Sequence, residues 1–325
     1  MKIIVTGGSG FIGTHLLRLL QTEGHQVLNL DIAPPQVEGL EAVAWRNCSL
    51  LDVFGVRQVF EKFQPMAVIH LAAHAAMEAP DKSVFAVNTE GTANLLAVIK
   101  QTASVERVII TSTQHVRKPG SGMPTSDTDY VPYLYYGETK VETERLTRAA
   151  DLDCAWTIVR PTAVWGPGQL LLAEGMWKLM LRGRYFHPAR DPVLRSYGYV
   201  KNVVWQLERL LHASAPAVQG RVLYVADGNS RQFEWVNALS RSICGREVPT
   251  LPLWFIRLLS AFGDVVKALG INFPIYRARL ENLITNNPVP VEPIIDLLGQ
   301  PPHSMEEGAE ETAVWLKAYF KGKKQ

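Results

Sequence analysis

Eight residues near the start of the chain, Thr6-Gly7-Gly8-Ser9-Gly10-Phe11-Ile12-Gly13, restrict its fold more than any other stretch. The apolar residues Ile3-Ile4-Val5 precede them, and His15-Leu16-Leu17-Arg18-Leu19-Leu20 follows with apolar residues at helical spacing. Strand, glycine turn and helix in that order form the context in which a glycine fingerprint holds a dinucleotide. Gly7 then permits the tight turn, Gly10 admits a pyrophosphate close to the backbone, and Gly13 lets helix and strand pack closely. Phe11 and Ile12 open the helix, whose free N–H groups face the phosphates. A second apolar run, Val27-Leu28-Asn29-Leu30, ends in Asp31. An acid about 20 residues past the glycines accepts the ribose hydroxyls and repels a 2′-phosphate. The expected cofactor is therefore NAD, not NADP.

The alternation continues through the first half. Ala67–Ala72, Arg107–Ile110 and Trp156–Val159 read as strands, and 88–100 and 137–150 as helices. Strands alternating with helices argue for a doubly wound parallel sheet of the α/β class, a Rossmann-type fold. After Pro161 the chain becomes irregular, with Gly166-Pro167-Gly168, Pro188 and Pro192, before one more strand-like run at Arg221–Val225. The last ninety residues read as helical segments punctuated by Pro249, Pro252, Pro274 and Pro288. The expected division is an NAD-binding domain over 1–165, with a returning segment near 195–230. A smaller, mostly helical substrate domain takes 166–194 and 231–325 and closes over the cofactor.

Composition removes several classes of function. Of 325 residues, 47% are hydrophobic and 20% charged, which suits a globular protein with a large core. A formal net charge of +2 gives no reason to expect nucleic acid. The basic run Lys321-Gly322-Lys323-Lys324 reads as a solvated tail. Cys48, Cys154 and Cys244 are scattered, with neither metal spacing nor a disulfide framework, so no metal is expected. The first strand begins at the second residue, which leaves no room for a signal peptide. No apolar run reaches 18 residues. A cytoplasmic enzyme acting on a small molecule, as a homodimer, is the expectation.

Tyr136-Gly137-Glu138-Thr139-Lys140 places a tyrosine and a lysine four apart, on one helix face. A nearby ammonium favours phenolate, which makes Tyr136 a general acid/base for an alcohol–ketone pair. Lys140 is also suited to hold nicotinamide ribose hydroxyls. Tyr197–Lys201 and Tyr319–Lys323 share the spacing, so context must choose. Only Tyr136 starts a helix after a strand that ends in Thr111-Ser112-Thr113. A hydroxyl at the carboxyl end of a strand lies on the ligand side of such a sheet, so Thr113 is placed to hydrogen-bond the reacting oxygen.

Together these residues resemble the extended short-chain dehydrogenase/reductase family, in particular its NAD-dependent nucleotide-sugar epimerase/dehydratase branch. The resemblance is carried in family order by Thr6–Gly13, Ile69-His70-Leu71-Ala72-Ala73, Asn88-Thr89-Glu90-Gly91-Thr92, Ser112-Thr113, Tyr136–Lys140, and Arg160-Pro161 with Gly166-Pro167-Gly168. It implies a Thr113–Tyr136–Lys140 triad. It also implies a tightly held NAD touching Leu71, Ala72, Ala73 and Asn88 as well as the triad, and a nucleotide-diphosphate sugar between the domains.

Three departures stand out. Gln114-His115 replace the Asp-Glu of sugar dehydratases, which disfavours 4,6-dehydration. His115 is either an extra acid/base group or a hydrogen-bonded structural histidine. Ser49 stands where many members carry an adenine-contacting Asp, and Val116-Arg117-Lys118 replaces Val-Tyr-Gly in the substrate loop.

Arg195, in Arg195-Ser196-Tyr197-Gly198-Tyr199-Val200, matches the stretch where the sugar enzymes supply an arginine to the diphosphate; the alternative is a surface arginine. Asn202 resembles the steroid dehydrogenase branch, which carries Asn where sugar enzymes have Asp. A further helix over 251–269 alternates Arg257, Ser260, Asp264 and Lys267 with a wide apolar face from Trp254 to Leu269. That face either packs on the small domain as core or lid, or touches a membrane, as a lipid-linked or sterol substrate would require. The leading expectation is an epimerase that oxidises a sugar hydroxyl with NAD through Tyr136 and returns hydride to the other face of the keto sugar. The alternative is a 3β-hydroxysteroid-type dehydrogenase that releases NADH.

Overall fold

Ile3, Ile4 and Val5 of strand β1 (Lys2–Thr6) are all fully buried, as happens when both faces of a strand are covered. The structure, a computed structural model, describes residues 1–76, 79, 81–189, 193–270, 273 and 275–323; Pro192, Pro274 and Lys324 lie outside the described residues. From β1 the chain runs through α1 (Phe11–Thr22), β2 (Gln26–Asp31), β3 (Ala44–Asn47), α2 (Val53–Phe63), β4 (Ala67–His70), α3 (Ala86–Lys100), β5 (Arg107–Thr111), α4 (Tyr135–Ala149) and β6 (Ala155–Pro161). It then leaves the sheet through β7 (Ala163–Trp165), α5 (Leu170–Leu172), α6 (Lys178–Leu181), β8 (His187–Ala189) and β9 (Leu194–Tyr199). It returns through α7 (Val200–His212), α8 (Ala215–Val218) and β10 (Arg221–Val225).

Seven strands form one sheet in the order β10-β6-β5-β4-β1-β2-β3, and every pair is parallel. Alternate side chains feed two cores. Ile3, Val5, Ile69 and Ile109 meet Leu16 and Leu17 of α1 and Val203 and Leu207 of α7. Ile4, Val68, Val108 and Ile110 meet Phe60 of α2 and Leu95 and Ile99 of α3. This is the Rossmann-type doubly wound sheet, and its strand order reverses between β1 and β4. At that switch point a crevice opens beyond the carboxyl ends of the strands, where ligands of such sheets bind.

The remainder is built from β11 (Gly228–Arg231), α9 (Gln232–Cys244), β12 (Thr250–Pro252), α10 (Leu253–Ala268), α11 (Arg277–Ile284), α12 (Glu292–Leu298) and α13 (Met305–Gly322). Together with the helices stand two small sheets, β11-β9-β7 and β12-β8. Trp165, Trp177, Tyr199, Trp235, Leu239 and Leu316 form a separate core there. The returning segment is thus divided: β9 joins the small sheet, while α7 and β10 join the large one.

The basic tail is exposed through Lys323, with α13 extending to Gly322 and Lys323 pairing with Glu174 at 2.5 Å. One sequence reading needs correction. The apolar face of α10 does not pack inward: Trp254, Leu258, Phe262, Val265 and Leu269 are each more than half exposed, while Ile256, Ser260 and Gly263 are buried. The three cysteines are free. No described helix is long and apolar enough to cross a membrane.

Candidate active site

The glycine turn is shaped by contacts that forbid side chains. Gly7 adopts φ +72°, and a Cβ there would stand 2.5 Å from the backbone nitrogen of Ala72. A Cβ on Gly13 would lie 2.5 Å from the Gly7 carbonyl oxygen. These approaches hold β1, the start of α1 and the loop after β4 together, with Leu71 N donating to the Thr6 carbonyl at 3.0 Å. Gly10 caps α1 without any side-chain acceptor for the first N–H groups, which leaves them facing the crevice. Asp31 ends β2 at the rim, where its carboxylate accepts from Ser9 N at 3.0 Å and Ala33 N at 3.2 Å. An uncapped helix terminus, a turn with glycine at 7, 8 and 10 and an acid at the rim fit a dinucleotide.

Asn88 braces the loop after β4. Its amide is bound to both main-chain groups of His74, at 2.8 and 3.0 Å, and to Thr139 Oγ1 at 3.0 Å. It ties the loop after β4, including Ala72 and Ala73, to α3 and α4. Behind that loop His70 bridges Thr6 at 2.7 Å and Thr92 at 3.1 Å. Burial, reinforced by Lys140, pushes the His70 imidazole down to about 3, so it stays neutral. At the expected adenine end, Ser49 Oγ accepts from Leu51 N at 3.2 Å, and Asp52 caps α2 by accepting from Gly55 N at 2.9 Å.

Thr113, Tyr136 and Lys140 converge beyond β5. Tyr136 and Lys140 stand one turn apart on α4, and the Thr113 side chain is near enough to the Tyr136 hydroxyl to favour its phenolate. Burial pushes the phenol up to about 12 despite that neighbour, and it pulls the Lys140 ammonium down to about 8 against the opposing charge of Glu144. The expectation that Lys140 eases deprotonation of Tyr136 is therefore not met by the protein alone. Burial dominates, and it weakens the very charge that would help. His115 lies beside the tyrosine, ring centroids 6.4 Å apart, and its Nδ1 is buried without a partner among the described residues. Burial, then the positive charge of Arg195, pulls it down to about 4. His115 is thus neutral at physiological pH.

Sequence reasoning missed the group that holds this constellation in place. Glu144, one turn beyond Lys140, is fully buried and takes both Nε and Nη2 of Arg160 at 2.8 Å, Ser112 Oγ at 2.6 Å and the Tyr130 hydroxyl at 2.8 Å. Burial alone would raise its carboxyl, but Arg160 and these hydroxyls hold it below the usual range. The signal was available, since 136, 140 and 144 share one helix face. Arg117, one of the departures noted above, is likewise buried. It binds Asp129 at 2.5 Å and the Ser121 carbonyl at 3.0 Å, which pins the loop 118–130.

Arg195 leads β9 into the cleft, close enough to His115, Tyr133 and Tyr197 for their charges to interact. Its Nη2 donates to carbonyls of Asn282 and Thr285 at the end of α11, the latter at 3.2 Å. Its Nε is buried with no acceptor, and no carboxylate pairs with it among the described residues. The two competing tyrosines lie on other elements than α4. Tyr197 is in β9 with Lys201 turned to Glu311, and Tyr319 on α13 donates to Glu174 at 2.9 Å. Asn202 does what Asp could not, donating to Asp227 at 2.9 Å and to the His303 carbonyl at 2.8 Å. Away from this region, His25, Glu208 and His212 bring ligand-type atoms within 4.8 Å of one another, a grouping that cysteine spacing does not reveal.

Residues 3–226 match the model of the NAD dependent epimerase/dehydratase family. The chain belongs to that family. Its cofactor is NAD. A 3 beta-hydroxysteroid dehydrogenase/Delta 5-->4-isomerase of Mycobacterium tuberculosis is 33% identical over 201 residues, 56% of this chain; the chain spans about half, 52%, of that relative. A sterol-4-alpha-carboxylate 3-dehydrogenase (decarboxylating) of Schizosaccharomyces pombe is 26% identical over 97% of this chain and 98% of its own. Among solved structures, a UDP-glucose 4-epimerase of Thermotoga maritima with UDP-glucose superposes with a TM-score of 0.74 at 23% identity, covering 98% of this chain and 100% of that one. That likeness bears on the fold.

Proposed function

We propose that this chain is an epimerase that acts on a nucleotide-diphosphate sugar through a transient ketone. The observation that carries the reading is Arg195, a guanidinium in the cleft with a buried, acceptor-less Nε and no carboxylate partner among the described residues. Arg195 is half-buried, and a partly desolvated guanidinium without a counter-ion gains from an anion that a ligand supplies. A diphosphate offers oxygens in the spacing that a guanidinium fork accepts. Tyr136 takes the proton of the reacting hydroxyl and later gives it back, while Thr113 orients that oxygen. Lys140 and Asp31 hold ribose hydroxyls of the two halves of NAD, which supplies the hydride acceptor. His115, neutral and unpartnered at Nδ1, faces the substrate as a hydrogen-bonding group and not as a cation.

A hydroxysteroid-type dehydrogenase with net NADH release is the second reading. Asn202 and the end-to-end similarity to the Schizosaccharomyces pombe enzyme favour it. A carboxylated sterol would also give Arg195 its anion.

The test is a panel of UDP-, GDP- and dTDP-sugars and hydroxysteroids, carboxylated and plain, with product NMR and NADH absorbance read in parallel. Arg195→Ala should raise KM for the anionic substrate at least roughly tenfold, since breaking a buried charge pair costs about 2–5 kcal/mol; Lys should restore only part. Unchanged kinetics in Arg195→Ala, with stoichiometric NADH from an uncharged hydroxysteroid, would overturn the sugar reading.

A further inference from the structure

Helix α10 is oriented against the usual rule. Its buried side holds Ser260 and Gly263 beside Ile256, while Trp254 (65% exposed), Phe255, Leu258, Phe262, Val265 and Leu269 (73% exposed) face outward. Residues 254, 258, 262, 265 and 269 follow helical spacing, so they form one continuous stripe along all four turns. The helix cannot roll to hide that stripe. A Cβ on Gly263 would stand 1.8 Å from the Ile275 carbonyl oxygen, so only the glycine edge fits against the segment that leads into α11. Ser260 is content in the interior because its hydroxyl donates to the Arg257 carbonyl at 2.8 Å. Ile256 locks the same side through Leu280 and Ile284 of α11.

The surface that carries the stripe is basic. Through α10 and α11 the chain carries Arg257, Lys267, Arg277 and Arg279 against Asp264 and Glu281. All four cations are exposed; Arg277 pairs with Asp264 at 3.4 Å, and Lys267 lies over the Tyr276 ring, on the side of the helix turned away from the stripe. An apolar stripe rich in Trp, Phe and Leu, with Lys and Arg beside it, suits a helix that lies in the interface of an anionic bilayer. Its 16 residues are too few to span the hydrocarbon. The position is also apt. The far end of α11 presents the Asn282 and Thr285 carbonyls to Arg195, so the surface helix and the substrate cleft share one supporting element.

We propose that α10 docks this protein on an anionic lipid surface, with its apolar stripe in the acyl boundary and the neighbouring Arg and Lys side chains drawn to the headgroups. The inference stands on the helix itself and does not depend on which alcohol reacts. It is tested with the full chain loaded with NAD and sedimented with vesicles of phosphatidylcholine alone or mixed equally with phosphatidylglycerol. The wild type should pellet with the anionic vesicles and lose that binding at high salt. Leu258→Glu/Val265→Glu and, separately, Arg257→Glu/Lys267→Glu should weaken partitioning by roughly tenfold or more, with the thermal midpoint and NAD affinity retained. Equal binding to neutral vesicles, or wild-type protein left in the supernatant, would overturn it. So would sedimentation velocity in which Leu258→Glu/Val265→Glu converts a dimer to monomers without altering vesicle binding, since the stripe would then cover a second copy.

Discussion

Tyr136, the proposed proton-transfer residue, shows why such a residue has to be read in its surroundings. Its spacing from Lys140 is shared with two other pairs, and the sequence separated them only through the neighbouring strand and helix. The structure adds a cost that spacing cannot convey: burial raises the phenol to about 12 and lowers Lys140 to about 8. Below pH 8 the tyrosine is therefore a ready proton donor, so ketone reduction should run at a rate nearly independent of pH. Alcohol oxidation needs the phenolate, so its rate should climb with pH from about neutrality upward. Tyr136→Phe should lower both directions by roughly 10² to 10⁴ while leaving the fold and NAD binding intact. Turnover within a few-fold of wild type would move the proton-transfer role elsewhere. The place of Asp31 at the end of β2 was legible, because an acid that ends the second strand can be read from position alone.

At the scale of elements, the buried Glu144–Arg160 pair fastens α4 to β6. Loss of one partner leaves an uncompensated charge in the core, so Glu144→Gln or Arg160→Met should cost about 3–5 kcal/mol in denaturant unfolding. A loss below about 1 kcal/mol, the range of an exposed pair, would show that solvent reaches the site. Strands buried on both faces, such as β1, β4 and β5, were legible because they are continuous apolar runs. β3 was not, since Ala44-Trp45-Arg46-Asn47 is an exposed edge strand without a hydrophobic pattern. Helix α10 was legible as a helix but not in its orientation. Amphipathicity names a face, and only the Gly263 contact decides which way that face turns. Asn88 was legible as important, yet its two bonds to His74 and one to Thr139 make it a brace for the NAD-side loop.

For the molecule as a whole, the neutral His70 at the sheet's switch point links stability to pH. Its folded value, about 3, lies below the ordinary value of about 6.5 for an unfolded histidine. Its contribution is full above pH 6.5 and is lost as pH falls toward 3, because the unfolded chain binds a proton that the folded one refuses. The loss should amount to a few kcal/mol. Denaturation midpoints measured from pH 7.5 to 4 should fall more steeply for the wild type than for His70→Gln; parallel curves would show that other groups govern acid unfolding. The small sheet has a consequence of another kind. Its strands β7, β9 and β11 come from three separated stretches of chain, interleaved with β6, α7 and β10 of the large sheet. The part that carries the small sheet is therefore not a cassette that recombination can lift out in one piece. A new specificity has to be written by local changes at several addresses along one continuous text.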